Sequence, residues 1–361
     1  RPLVCLLGLP FDAIDIGQAV ERIRRAAREG RRCFVSTPNL NFVMTARFDA
    51  TFRGSVLRSD LSLVDGMPLV WAARLLGLPL PGRVSGADVF EALQDHAGPP
   101  VTVFLFGGPP GVAARACEAI NRRAGGLRCV GFDEAGYGSV ESMSADDRIE
   151  KINRSGAQFV IASLGASKGQ AWLERNADRL NAPVLSHLGA VLNFAAGSVQ
   201  RAPRWMAVSG LEWAWRIKEE PALWRRYWRD GIGALWLLLT RVIPDAIATR
   251  GPGQRAVPAR EPARLQISPA PPGLLLALSG SWHGHEATLR SALTRCAAEA
   301  DHLRIDLTGA AELDNAAIAL LLIARGWFEA RGGFEVVGAS RTLSVGLRRK
   351  LATAALLGAD R

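Results

Sequence analysis

Along the first two hundred residues, short apolar runs alternate with longer amphipathic ones, the pattern of strands and helices taking turns around a mainly parallel sheet. The runs Cys33 to Ser36, Val101 to Phe106, Phe159 to Leu164 and Val184 to His187 have no polar period, as expected of strands covered by helices on both faces. Helices are predicted over Ile16 to Arg28, stopped by Gly30, and over Pro110 to Arg123, stopped by Gly125-Gly126. The fold class is α/β, a doubly wound, Rossmann-like sheet. One further buried-type strand, Leu61-Ser62-Leu63-Val64, delivers Asp65 into the turn Gly66-Met67-Pro68. Parallel sheets present their chemistry at such strand ends.

The pattern changes after residue 200. Six tryptophans, Trp205, Trp213, Trp215, Trp224, Trp228 and Trp236, are interleaved with arginines, and Trp224, Trp228, Ile232, Leu235 and Leu239 fall along one helical face. Arg241 interrupts the apolar run that starts at Gly231, and crossing a bilayer takes roughly 20 apolar residues. The expectation is therefore an amphipathic helix, packed on the core or lying on a membrane surface, and no spanning helix. Pro244, Pro252, Pro258 and Pro262 with Gly251 and Gly253 then read as a linker. A second alternation follows: Leu303 to Leu307, a helix over Ala316 to Arg331, and Phe334 to Gly338. The expected organisation is a core at 1–200, a Trp/Arg-rich helical appendage at 201–243, a linker at 244–262 and a smaller α/β domain at 263–361.

Composition adds limits. The 361 residues are 48% hydrophobic and 22% charged, ordinary for globular protein, which excludes disorder as the overall state. A net charge of +10, carried almost wholly by arginine, suits phosphate or anionic lipid. Nucleic acid is not expected as a partner, because no basic run interleaves with stacking aromatics in a recognisable module. Cys5, Cys33, Cys117, Cys129 and Cys296 are scattered, without a Cys-x-x-Cys pair, and point to a reduced, cytoplasmic compartment. The start, Arg1 to Gly8, reads as no export signal.

Candidate chemistry gathers at strand ends. Gly107-Gly108-Pro109-Pro110-Gly111 joins a strand to a helix, where backbone amides and the helix dipole suit a diphosphate. The turn lacks both the dinucleotide fingerprint and a phosphate-binding-loop Lys-Ser/Thr, and serves equally as a plain connection. In Gly165 to Gln170, Lys168 is placed to face phosphate and Gln170 to hydrogen-bond a ligand, or the segment is an ordinary helix start. Asp65 before Gly66 is a candidate base and equally a turn or cap residue. His187 reads as a core histidine.

Thr37-Pro38-Asn39, Asp65-Gly66 and Arg83-x-x-Gly86-x-Asp88, followed by Gly165 to Gln170, Gly189 to Phe194 with Gly197, Arg201-Ala202-Pro203, and Glu212-Trp213 with Arg216 and Pro221, resemble the WecG/TagA/CpsF glycosyltransferases (glycosyltransferase family 26) in order and spacing. The resemblance runs from about Leu3 to Arg229. It implies transfer of a sugar from a UDP-sugar to a polyprenyl diphosphate-linked saccharide in bacterial surface polysaccharide synthesis, by a peripheral protein on the inner face of the cell membrane. Asp65 would be the base that deprotonates the acceptor hydroxyl, with Thr37 and Asn39 beside it. The substrate-binding set would be Arg83, Asp88, Gly107, Gly108, Gly165, Lys168, Gln170, Asn193, Arg201, Arg216, Arg225 and Arg226. No Asp-x-Asp pair occurs, so an inverting, metal-independent reaction without a cofactor is expected, with arginines neutralising the leaving diphosphate. Two positions depart from the pattern: Ala171 follows Gln170 where Glu is usual, and Asn193 stands at a usually acidic position.

Residues from about Leu265 to Leu357 resemble the STAS fold of anti-sigma-factor antagonists, through Leu303 to Leu307, Leu313-Asp314-Asn315 and the helix that follows. Asn315 stands where switched members carry a phosphorylatable hydroxyl, which implies a constitutive docking module that holds a protein partner through the Asp314 loop and the helix from Ala316. The rival reading of the whole chain is a non-catalytic scaffold in a membrane polysaccharide complex. A dinucleotide-dependent oxidoreductase is disfavoured by the missing glycine fingerprint.

Overall fold

A computed structural model describes residues 2–134, 136, 138–250 and 261–357. The chain divides into two compact units, one of Ile14–Val70 with Pro81–Gly231, the other of Arg1–Ala13, Trp71–Leu80 and Ile232–Arg361.

The first unit is built on six strands, β1 (Cys33–Ser36), β2 (Leu61–Ser62), β3 (Val101–Gly107), β4 (Leu127–Asp133), β5 (Phe159–Ser163) and β6 (Val184–His187). All pairings are parallel, in the order β2-β1-β6-β5-β3-β4. Successive strand residues point to opposite faces, and each face is closed by helices. On one face Val35, Val103, Ile161 and Val184 pack with Ala19, Val20 and Ile23 of the helix Ile16–Glu29. That helix starts with a reciprocal capping box between Asp15 and Gln18 and stops at Gly30 in the left-handed conformation. On the other face Phe34, Phe104, Phe106 and Trp172 pack together. Phe106 stacks on Trp172 with ring centroids 3.9 Å apart, and the indole N–H of Trp172 donates to the Met143 carbonyl at 2.9 Å.

The strand order reverses beside β1, since the chain steps outward from β1 to β2 and only then builds the other half of the sheet. Ligands of open parallel sheets sit outside the C-terminal strand ends at such a reversal. The Cys117 and Cys129 sulfurs form a disulfide, tying the helix Val112–Arg123 to β4. This corrects the expectation of unpaired cysteines: a helix laid against its neighbouring strand joins residues whose spacing carries no pairing signature.

In the second unit the strands Leu3–Leu6 and Leu9–Asp12 form an antiparallel hairpin. The strands β7 (Arg264–Ala270), β8 (Gly273–Trp282), β9 (His302–Leu313) and β10 (Gly333–Ala339) form a sheet of order β10-β9-β8-β7, with only β7 antiparallel. The helix Asn315–Glu329 lies between this sheet and the hairpin. Its buried residues, Ala317 to Leu322 with Ala324 and Phe328, surround the helix axis because both sides are covered. The helix expected to take part in holding a protein partner thus packs on the beginning of the same chain, while Asp314 and Asn315 at its start stay half-exposed.

The helix Trp224–Leu237 does not end near Arg241. It passes through a π-helical turn, Leu238–Val242, into Ile243–Arg250. Pro244 is tolerated in the first turn of that last segment, so residues expected to open a linker are helical to 250; residues 251–260 of the expected linker lie outside the described residues. The stretch Pro221–Ala248 is long and apolar enough to cross a membrane by length and composition.

Candidate functional site

The motifs that the sequence offers converge on the C-terminal edge of the six-stranded sheet. Beyond β1 the chain continues into Thr37, which is buried, and into Asn39, whose side chain caps the helix Leu40–Phe48 by accepting from the Phe42 amide at 3.2 Å. Beyond β2 the ladder becomes single bonds: the Leu63 amide donates to the Ser36 carbonyl at 2.9 Å and the Asp65 amide to the Pro38 carbonyl at 3.0 Å. These bonds tie the backbone of Asp65 to the Thr37-Pro38-Asn39 segment. Gly66 has φ +100, a conformation that a side chain would strain, although a Cβ there would meet only open space and Pro68. The glycine therefore allows the sharp turn that leaves the Asp65 carboxyl at the strand end.

Around Asp65 stands a network of alternating charge. Arg83 donates to Asp88 at 2.9 Å and pairs with Glu212, while Arg201 pairs with Asp88 and Glu91. The Ser85 hydroxyl holds Asp88 in place at 2.6 Å. Burial raises the pKa of Asp65 to about 7; the Glu212 charge adds to the rise, Arg83 opposes it, and Asp88 and Arg201 contribute less. A carboxyl so placed exchanges its proton near neutrality, where a general base is most effective.

The structure brings together Asp65, Arg83, Asp88 and Arg201 from the expected set. It adds Glu212 and Glu91, whose roles sequence reasoning missed; the Glu212-Trp213 motif was the available signal. Neither Arg83 nor Arg201 is an idle cation, so a diphosphate that binds them must replace a carboxylate. Arg216 pairs with Glu220 at 2.6 Å and lies over the Phe194 ring, whereas Arg225 and Arg226 are exposed and stacked on the adjacent Trp224 and Tyr227. Asn41 adds a link to the buried Asp230, donating at 3.2 Å.

Gln170 is buried and donates to the Ser36 hydroxyl at 2.8 Å. Its side-chain carbonyl oxygen has no hydrogen-bond partner among the described residues. Ala171, beside it, faces outward from the helix Ala166–Asn176, so the loss of an acidic residue there leaves the Gln170 contact untouched. Gly165 caps this helix without a side-chain bond, while Lys168 donates to the Gly138 carbonyl at 2.9 Å and is held there instead of standing free for phosphate. A Cβ on Gly169 would come within 2.1 Å of the His187 ring. The ring is packed against that helix, its Nε2 bonded to the Leu164 carbonyl. Burial pushes the His187 pKa down, with the Leu164 bond opposing, which leaves the imidazole neutral in the core.

Gly107 and Gly108 turn with φ +93 and +86, and the Gly108 amide donates to the Ser163 carbonyl at 2.9 Å. With Pro109 and Pro110 lacking an N–H, the turn offers an anion little; the following helix start, capped by Gly111 without a side-chain bond, is what remains open. Asn193 uses its backbone carbonyl to accept from the amides of Ser198 and Val199.

An open parallel sheet with a carboxyl among arginines at its C-terminal edge is a frame on which α/β proteins receive polar ligands. The model of the Glycosyl transferase WecG/TagA/CpsF family matches residues 4–246, more than half of the chain, and the chain belongs to that family. Among its relatives is the N-acetylglucosaminyldiphosphoundecaprenol N-acetyl-beta-D-mannosaminyltransferase of Bacillus spizizenii, 28% identical over 199 residues that cover 55% of this chain and 76% of the relative.

Proposed function

We propose that the protein transfers a sugar from a UDP-sugar to a polyprenyl diphosphate-linked saccharide, with inversion and without a metal, in the synthesis of a bacterial surface polysaccharide. The single observation that carries this reading is the position of Asp65 at the C-terminal sheet edge, tied to the Thr37-Pro38-Asn39 segment and beside the ion-paired Arg83, Asp88, Arg201 and Glu212. Asp65 takes the proton of the acceptor hydroxyl as that oxygen attacks the anomeric carbon. The bond to the UDP oxygen breaks on the opposite face, and arginines together with helix N-termini stabilise the departing diphosphate. Thr37 and Asn39 shape the wall beside the base, and Gln170, bonded to the Ser36 hydroxyl, braces the strand end that leads into them. The rival reading, a non-catalytic scaffold, gives no role to a half-buried carboxyl whose pKa is raised toward neutrality at this edge. The test is direct: incubation of the purified chain with UDP-N-acetylmannosamine and a lipid diphosphate-linked N-acetylglucosamine is expected to yield the disaccharide lipid. Absence of product with this donor and with every other UDP-sugar would sink the reading.

The pH dependence follows from the same carboxyl. Asp65 is protonated below about pH 7 and cannot accept a proton there, so kcat/KM is expected to climb about tenfold per unit of rising pH up to about 7 and then level. Because the Glu212 charge raises this pKa, Glu212→Gln is expected to move the climb to lower pH. A profile unchanged in the variant would remove Glu212 from the tuning of Asp65.

The acceptor's lipid implies work at a membrane surface. Trp228, Ile232, Leu235, Leu239 and Ile247 are all more than half exposed along the helix after residue 224, whereas Leu237, Val242 and Ala246 are buried. A helix with protein on one face and exposed apolar side chains on the other suits lying in the lipid interface, as a peripheral protein does. The double substitution Leu235→Glu with Leu239→Glu is expected to weaken binding to vesicles about tenfold or more, since two large apolar contacts contribute roughly 1.5–3 kcal/mol each when fully buried. Vesicle flotation with unchanged affinity would exclude this face. The sheet order and single antiparallel strand of the C-terminal unit suit the proposed STAS-like assignment, with Asn315 accepting from Lys350 at the start of the central helix.

A further inference from the structure

The second unit contains a small recess of about 30 Å³, with Arg241, Arg349 and Lys350 on its wall and Asp245 as its one carboxylate. Leu7 of the hairpin turn and Asn315, the first residue of the helix Asn315–Glu329, complete the side that matters here. Two of these groups retain unused donor capacity. The Arg241 Nε–H is buried with no acceptor among the described residues, although its Nη1 reaches the Arg348 carbonyl at 3.4 Å. Lys350 gives one bond to the Asn315 side-chain oxygen at 2.8 Å, and an ammonium has three N–H groups. Arg349 is exposed at the rim. The helix amides are not the recognition element, because Asp314 already accepts from the Ala317 amide at 2.7 Å.

The backbone around the recess is irregular on three sides. Leu7 and Leu351, the latter directly after Lys350, have φ +52 and +58, which side-chain-bearing residues adopt only under constraint. Arg241 sits in the π-helical turn, an irregularity that recurs at functional sites. Such departures persist where the surroundings enforce them and cluster at binding sites. Burial pushes the Cys5 thiol, also on the wall, up to about 11, with Lys350 opposing, so it adds no competing negative charge.

We propose that this recess binds a phosphoryl anion, held by Arg241, Arg349 and Lys350. Three donors of positive charge converge there against one carboxylate, and guanidinium groups match phosphate oxygens through their planar fork. The anion is supplied either as a free phosphate or as the phosphate of an acidic lipid headgroup. Leu239 and Ile243, on the same helix as Arg241, are exposed and would bring a headgroup within reach. Asn315, Arg349 and Lys350 lie beyond the residues matched by the family model whereas Arg241 and Asp245 lie within them, so the site combines a helix of the matched region with this chain's C-terminal residues.

The test uses the full chain in chloride buffer of constant ionic strength. The double variant Arg349→Ala with Lys350→Ala is compared with Arg331→Ala with Arg341→Ala, which removes equal charge from exposed positions off the recess. Lys350→Gln serves as a milder variant, and thermal unfolding checks each fold. Calorimetry with inorganic phosphate and flotation with phosphatidylcholine vesicles, with and without phosphatidylglycerol, form the two arms. Saturable phosphate binding that falls roughly tenfold or more in the recess variants only identifies a free anion. No phosphate binding, with the same selective loss on acidic vesicles, identifies a headgroup. No phosphate binding and equal vesicle affinity in recess and control variants overturns the site.

Discussion

Asp65→Asn is expected to lower turnover about 10²- to 10⁴-fold, the range for removal of a general base, while UDP binding stays close to that of the unaltered chain. The amide keeps the shape of the carboxyl and loses only its ability to accept a proton. A second consequence has the opposite sign. Folding raises the Asp65 pKa from 3.8 to about 7, so between these values the unfolded chain has already released the proton that the folded chain still holds. Stability therefore falls as pH rises through that window and stays reduced above it. Asn has no charge to bury, and Asp65→Asn is expected to raise the unfolding temperature at pH 8 by more than at pH 5. An active site that trades stability for reactivity behaves in this way. Normal turnover in the variant would exclude Asp65 as the base, and an equal thermal shift at both pH values would show that its carboxyl is not held near neutrality.

Removing residues 251–361 is expected to unfold more than the segment removed. Leu3, Val4, Leu6, Leu9 and Phe11 of the hairpin are buried, and the hairpin packs on the helix Asn315–Glu329, which the deletion takes away. Burial of five such side chains contributes roughly 10 kcal/mol as an upper bound. Even half of that approaches the roughly 5–15 kcal/mol by which a whole domain is stable. The fragment 1–250 is expected to aggregate or to bind a hydrophobic dye, with rapid hydrogen exchange at the amides of residues 3 to 12. A fragment that melts at the temperature of the full chain, with those amides still protected, would show that the hairpin has another support. This expectation separates the chain from a simple fusion of two independent modules, because its first strands and its last helices share one core.

Much of the first unit was legible in the sequence. The apolar runs at Cys33, Val101, Phe159 and Val184 became β1, β3, β5 and β6 within a residue at their ends, because burial on both faces leaves a composition with no polar period. The helix from Ile16 ended at its glycine for an equally local reason, the left-handed conformation that Gly30 adopts. Asp65, Arg83, Asp88 and Arg201 were singled out as candidates through motif order, and ion pairs join the last three.

What the sequence left open depended on pairings between distant segments. Glu212 carries no mark of its influence on Asp65, because the effect of a charge depends on distance in space and on burial, neither of which has a sequence period. Lys168 looked free for phosphate until a carbonyl was placed beside it, and the glycine turn looked open until Ser163 took its amide. Arg241 looked like the end of an apolar helix, yet the helix accommodates it through a π turn that directs it into the recess. The hydrophobic and polar pattern thus determined which segments are strands and helices and which strand end carries the carboxyl. Tertiary packing decided which charges face that carboxyl, which cysteines meet and what covers the last domain's central helix, since those contacts exist only once remote parts of the chain are brought together.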